Sequence, residues 1–98
     1  MAEYANAPYA QAAAAVNEDG VLQHGKGVVD VKRSGAGRYS VTLESHIDAT
    51  RTVPQVSLNQ SADWQGEIYV KIIDSSTIGV LTGANGSAAD EPFYLLVP

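Results

Sequence analysis

Residues 28–43, Val28-Val29-Asp30-Val31-Lys32-Arg33-Ser34-Gly35-Ala36-Gly37-Arg38-Tyr39-Ser40-Val41-Thr42-Leu43, decide how the rest of the chain is read. Gly35-x-Gly37-x-x-Ser40 comes one residue short of the glycine fingerprint that cradles a dinucleotide pyrophosphate. Such a cradle needs a helix directly after its glycines, because the helix N-terminus supplies the partial positive charge that meets the phosphate. Here the glycines lead instead into Tyr-Ser-Val-Thr-Leu, β-branched and aromatic, with apolar and polar residues alternating at period two. The same alternation precedes the glycines: Val29, Val31 and Arg33 fall on one side, Val28, Asp30 and Lys32 on the other. The stretch therefore reads as two strands joined by a hairpin whose turn residues are Gly35 and Gly37, with both glycines expected to supply positive φ and Arg33 and Arg38 expected to stand in solvent on either side.

Outward from this hairpin the chain keeps the same character. Ala10 to Val16 is alanine-rich and has high helix propensity, but it spans only two turns before Asn17-Glu18-Asp19-Gly20, a turn signal, so a small-residue strand fits the run better. Ser45 to Thr50 is a polar link, and Val53 to Leu58 a strand whose start Pro54 confines to an edge or bulge. Gly66 to Ile73 is a strong strand with Ile68, Val70 and Ile72 on its core face. Thr77 to Thr82 and Phe93 to Val97 complete the pattern, and Asn85-Gly86-Ser87 reads as a turn rather than as a glycosylation acceptor. Six to eight short strands with turns every 8 to 12 residues are the mark of an antiparallel sandwich or barrel. The expected fold is all-β: one small antiparallel β-sandwich, jelly-roll-like or knob-like, over residues 10–98, preceded by an N-terminal arm, residues 1–9, whose tyrosines pack on the domain or on a neighbour.

Composition limits the functions open to such a domain. The 98 residues carry 6 Lys and Arg against 11 Asp and Glu, a net charge of −5, with no basic cluster. Nucleic acid is therefore not an expected partner, since the counterion-release contribution to binding is missing. The chain has no cysteine, hence no disulfide or thiolate chemistry. Its opening lacks the basic and apolar blocks of a signal peptide, and no apolar run approaches the roughly 20 residues that span a bilayer. A soluble protein, cytoplasmic or virion-associated and without membrane insertion, is the expectation. Charged residues are only 17% of the sequence and apolar residues 45%. A surface so thinly charged is simplest to cover by self-association.

The residues that could carry chemistry are few. His24 and His46 flank the central hairpin without a second histidine beside either, so an ion would need ligands drawn from separate loops or from across an interface between subunits. Asp48, Asp63, Asp74 and Asp90 fall in four separate loops, and Ser34, Ser40 and Ser75 lack the strand-turn-helix setting of a nucleophile elbow. No catalytic residue, metal site or cofactor is expected. For recognition, Asp63, Trp64 and Gln65 stand out, because a loop aromatic flanked by polar side chains offers a face on which a sugar stacks.

The combination Val16-Asn17-x-Asp19-Gly20-x-Leu22, Gly25-x-Gly27-Val28, Val31-x-Arg33-x-Gly35-x-Gly37-x-Tyr39-x-Val41-Thr42-Leu43 and Ala89-Asp90-x-Pro92-Phe93-x-Leu95 resembles a group of small, mostly uncharacterised bacterial β-domains, some labelled phage tail-fibre-like. The likeness spans roughly residues 14 to 97. It implies a compact β-sandwich, a homotrimer in the manner of fibre tips and knobs, and no catalytic residue. The chain departs from the group in its Tyr- and Ala-rich opening and between Thr50 and Gln65. The leading expectation is thus a non-enzymatic structural or receptor-binding module that forms a homo-oligomer, most simply a trimer, and meets a cell-surface glycan or protein. A lectin-like module built on loop aromatics is the first alternative, and a small enzyme with its site at a subunit interface the second.

Overall fold

A computed structural model describes the backbone of Glu3–Tyr4 and residues 7–59 and 64–98. The fold is a β-sandwich of two sheets. The strands are β1 (Glu3–Tyr4), β2 (Ala12–Val16), β3 (Leu22–Lys26), β4 (Val28–Gly35), β5 (Arg38–Leu43), β6 (Gln55–Leu58), β7 (Gly66–Asp74), β8 (Thr77–Ala84), β9 (Ser87–Ala88) and β10 (Phe93–Val97), with one 3-10 turn at Ala49–Arg51. One sheet has the order β1-β3-β2-β10-β6, and the other β4-β5-β8-β7 with β9 added to β8. All strand pairs are antiparallel except β1 with β3.

The alanine run is a strand, held between β3 and β10 with every residue of β2 buried. Helix propensity loses here because five residues gain little from a helix so short, whereas pairing on both sides gives the strand's backbone groups partners. Alternate residues of β2, β5, β8 and β10 face inward: Ala12, Ala14 and Val16 meet Tyr39, Val41, Leu43, Ile78, Val80, Phe93, Leu95 and Val97. The Tyr39 and Phe93 rings, 5.1 Å apart and tilted by 55°, join the two sheets at one end of this core. Each fully buried large side chain contributes roughly 1.5–3 kcal/mol relative to exposure.

Several features depart from the sequence reading. A bulge between Val28 and Asp30 puts Val28 against the core and leaves Val29 outside, so strict alternation fails at the start of β4. Leu22–Lys26, which has no alternation to announce it, is a strand because it pairs with β2, and the chain then passes to β4 of the other sheet through Gly27, where φ is +69°. On β7, Ile68 and Val70 pack against the core as expected, but Ile72 is exposed near the far end of the strand. The link at Ser45 to Thr50 is polar in sequence but anchored in the core by Ile47 and Ala49, and Asp48 caps its 3-10 turn by accepting from the Thr50 amide at 3.1 Å.

Gly35 belongs to β4, paired with Arg38, and only Ala36 and Gly37 form the tip of the central hairpin. Positive φ is confined to Gly37, at +67°; Gly35 does not need it. A Cβ on Gly37 would stand 2.2 Å from the Thr82 carbonyl oxygen, so the position requires glycine by close approach as well as by dihedral angle. On Gly35 the nearest neighbour to a Cβ is the Arg38 side chain, 3.8 Å away.

Candidate functional site

The tip of the β4–β5 hairpin does bind an anion, and the anion is the protein's own. Asp90 Oδ1 accepts a hydrogen bond from the Gly37 amide at 2.7 Å, and Oδ2 accepts from Arg33 Nε at 2.9 Å and from an Arg33 terminal nitrogen at 2.8 Å. Arg33 is therefore not free in solvent, as its place beside the turn suggests. Two of its nitrogens converge on one carboxylate oxygen, and such charge-assisted bonds are roughly twice as strong as neutral ones. The Asp90 carboxyl is held below the usual carboxylate range, first by the Arg33 hydrogen bond and then by the Gly37 amide. Beneath it the Tyr39 hydroxyl donates to the Glu18 carbonyl at 2.6 Å and lies 3.3 Å from Asp90 Oδ1. Burial, followed by the nearby Asp90 charge, pushes the Tyr39 hydroxyl up to about 12.

This latch fixes one wall of a cleft on the outer face of the second sheet. The cleft has a volume of about 240 Å³ and is bounded by Gly37, Arg38, Glu67, Tyr69, Leu81 and Ser87 among others. Strand register places its side chains. Arg38 pairs with Leu81 and Leu81 with Tyr69, so the three form one row across β5, β8 and β7. Their neighbours Tyr39, Val80 and Val70 face the core, hence the row points outward. In the adjoining row Glu67 pairs with Gly83, where a Cβ would lie 2.6 Å from the Ser87 carbonyl oxygen. The absence of a side chain there lets β9 fold close over β8 and leaves a backbone floor beside Glu67.

Glu67 is the best-positioned group in the cleft. Its Oε1 accepts from the Gly86 amide at 2.8 Å and its Oε2 from the Tyr69 hydroxyl at 3.2 Å. The Gly86 amide is presented by a two-residue turn in which Asn85 and Gly86 both have positive φ, at 56° and 79°, as a tight hairpin between β8 and β9 demands. Tyr69 is 60% exposed, and its hydroxyl is pushed up by the bond to Glu67. Arg38 is exposed and, among the described residues, its side chain makes no hydrogen bond or ion pair. The arrangement sets an aromatic ring, a fixed carboxylate and an open guanidinium round a floor of Leu81 and glycine backbone.

The residues singled out from sequence are only partly brought to this place. Trp64 is fully exposed and does not line the cleft. Its turn nevertheless flanks the same end of the sheet, because the Gln65 carbonyl accepts from the Asn85 amide at 3.2 Å. Asp63 lies outside the described residues. Asp74 caps the β7–β8 turn through the Ser76 amide at 2.9 Å, as Asp48 does at its own turn. His46 lies 3.6 Å from Glu44 on the surface, while His24 is on the outer face of the other sheet, opposite Ala15. Among the described residues no group of three or more His, Cys, Asp or Glu side chains could hold a metal ion, and no helix is long and apolar enough to cross a membrane.

Glu67 and Tyr69 escape a reading of the sequence because they sit inside a strand, where an alternating Glu-Ile-Tyr-Val announces only an outer face. The local signals are the glycine opposite Glu67 and the Asn-Gly turn two residues beyond it. Comparison of the chain with family models, with curated proteins and with solved structures finds no match.

Proposed function

We propose that this β-sandwich is a non-enzymatic binding module that takes a saccharide in the cleft beside Tyr69. The observation that carries the reading is Glu67: a carboxylate pinned by the Gly86 amide and the Tyr69 hydroxyl keeps lone pairs for a ligand and stands next to a half-exposed aromatic ring. Sugars are recognised by this combination, since hydroxyls donate to a fixed carboxylate while C–H faces stack on an aromatic ring. At about 240 Å³ the cleft is smaller than the roughly 300–1,000 Å³ of sites for drug-sized ligands, which suits one pyranose ring of a longer chain. The platform differs from the one expected: Tyr69 takes the role assigned to Trp64. Saturation-transfer NMR against mono- and disaccharides tests the reading. Transfer to at least one sugar, lost in Tyr69→Ala and kept in Trp64→Ala, is expected; transfer that survives Tyr69→Ala contradicts it.

A second reading, self-association as a homo-oligomer, has its own observation on the opposite sheet. There Ala13 and Ala15 form the floor of a groove of about 490 Å³ whose side is built by Tyr94 and Leu96, exposed by 41% and 43%. Among the described residues, the only charged or titratable groups in the rows beside it on β3 are His24 and Lys26, and the Lys26 Nζ donates to the Ala7 carbonyl at 2.9 Å. The residues that line the groove include no carboxylate, so copies of an acidic chain can approach through it with little like-charge repulsion. A homotrimer is one closed form of this assembly, and sedimentation at micromolar concentration tests it.

A further inference from the structure

Resting on the saccharide reading, we propose that the cleft selects an acidic sugar, one whose pyranose ring carries a carboxylate, and that Arg38 is the residue that reads it. The two charged side chains of the cleft differ in what they have left to offer. Glu67 is engaged on both oxygens, with Gly86 and Tyr69. Arg33, on the other strand of the hairpin, is taken up by Asp90. Arg38 alone of these two arginines has its donors open among the described residues.

Register sets the distance over which the two walls act. Arg38 and Tyr69 are two strands apart in one row, with Leu81 between them, so their backbones are separated by roughly 10 Å at a strand spacing of about 4.8 Å. That span takes one six-membered ring lying over Leu81. Glu67 is on the Tyr69 side of the cleft and Arg38 on the far side, and they do not pair with each other. A ligand that satisfies both must donate hydroxyls at one end and accept from a guanidinium at the other. A neutral sugar meets the first demand; at the second it offers Arg38 only single hydroxyl oxygens. A ring carboxylate meets both, because its two oxygens match the planar fork of the guanidinium.

The same geometry limits the charge. A phosphate ester also fits an arginine, but at about −1.5 to −2 it brings more charge than one guanidinium offsets into a cleft whose other wall carries Glu67, while a sulfate ester, singly charged, spreads that charge over three tetrahedral oxygens that match the planar fork less well. Like charges at such a separation disfavour binding wherever water is partly excluded. The favoured ligand carries one negative charge, spread over two coplanar oxygens, and hydroxyls on the opposite edge of the ring. Uronates and sialate-type sugars share this chemistry.

The test is a glycan array bearing uronate, sialate, sulfated and neutral glycans, probed with the intact chain, Arg38→Gln and Tyr69→Ala, followed by calorimetry on the strongest hit. The expected result is that hits concentrate among carboxylate-bearing glycans. In Arg38→Gln the affinity for them should fall at least tenfold, while Arg38→Lys, which keeps the charge and loses the fork, should fall between the two. Unchanged melting of the Arg38 variants shows that the exposed side chain acts on the ligand rather than on the fold. Neutral or sulfated glycans bound as tightly as the acidic ones, and lost only in Tyr69→Ala, would leave the saccharide site standing and overturn the choice of an acidic sugar. An array without hits would remove the saccharide reading and this inference together.

Discussion

The carboxylate of Asp90 accepts the amide of Gly37 at 2.7 Å, tying the tip of the β4–β5 hairpin to a loop 53 residues further along the chain. A glycine turn that resembles part of a phosphate cradle is thereby filled from within. The tip is closed from a second side, since the Gly37 carbonyl accepts from the Thr82 amide at 2.8 Å.

The two glycines of the hairpin should behave in opposite ways. Gly37→Ala adds a left-handed backbone penalty to a collision with the Thr82 carbonyl oxygen, and should cost about 3 kcal/mol or more. Gly35→Ala meets no close neighbour at ordinary φ and should change stability by no more than about 0.5 kcal/mol. Urea denaturation of both variants separates the positions, and equal losses at the two sites would contradict the geometry.

Removing Asp90 should expose the cost of an unfilled cradle. Asp90→Ala leaves the buried Gly37 amide without its acceptor, a loss of about 1–2 kcal/mol. The acid dependence follows from the direction of the shift. Because the folded carboxyl is held below its unfolded value, its contribution is present above the ordinary carboxylate range near pH ~4 and is lost as pH falls through the folded value. Asp74, lowered chiefly by the Ser76 amide, acts in the same sense. Melting temperature followed downward from about pH 5 should fall less steeply in Asp90→Asn than in the parent chain.

On the alkaline side the sign reverses. Tyr39 titrates at about 12 in the fold against about 10 when unfolded, so its contribution is complete below about pH 10 and disappears between there and about pH 12. A difference of two pH units corresponds to about 2–3 kcal/mol, which solvent near the hydroxyl reduces to about 1–2 kcal/mol. Tyr39→Phe should be less stable at neutral pH, having lost the bond to the Glu18 carbonyl, yet should show a flatter decline in base. A parent chain whose stability is level from about pH 9 to about pH 12 would be inconsistent with a buried phenol at this position.

The opposite sheet makes its own prediction. Ala15→Glu sets a charge on the floor of the Tyr94–Leu96 groove, where Ala15 is buried between His24 and Tyr94 on the outer face of the sheet and the longer side chain extends along the open groove. It should leave the secondary structure intact while shifting any oligomer seen by sedimentation to monomer. An oligomer that survives Ala15→Glu uses some other face.

How far the sequence carries the structure depends on the range of the contacts involved. The hairpin, the alanine strand and the inward placing of Ile68 and Val70 are legible because period-two alternation and turn residues are local properties. Val28 falls on the wrong face because a bulge adds one residue and inverts the count beyond it, and nothing in Val-Val-Asp-Val marks where that happens. Gly35 looks equivalent to Gly37 because the reason for glycine at 37 is the Thr82 carbonyl, a contact far along the chain. The site is hidden for the same reason. Arg38, Glu67 and Ser87 lie on three different strands, and only the register of β5, β8, β7 and β9 brings them to one cleft. Trp64 draws notice as the sole tryptophan beside a polar stretch, but its turn sits next to the cleft rather than in it.

An amide-resolved NMR titration of the intact chain with an acidic oligosaccharide chosen from the array locates the site residue by residue. Perturbed resonances should trace Arg38, Glu67, Tyr69, Leu81 and Gly83 to Ser87, with β2 and β10 unaffected. Shifts gathered instead at Trp64 alone, or along the Ala13–Ala15 groove, would contradict the claim that the saccharide site is the cleft beside Tyr69.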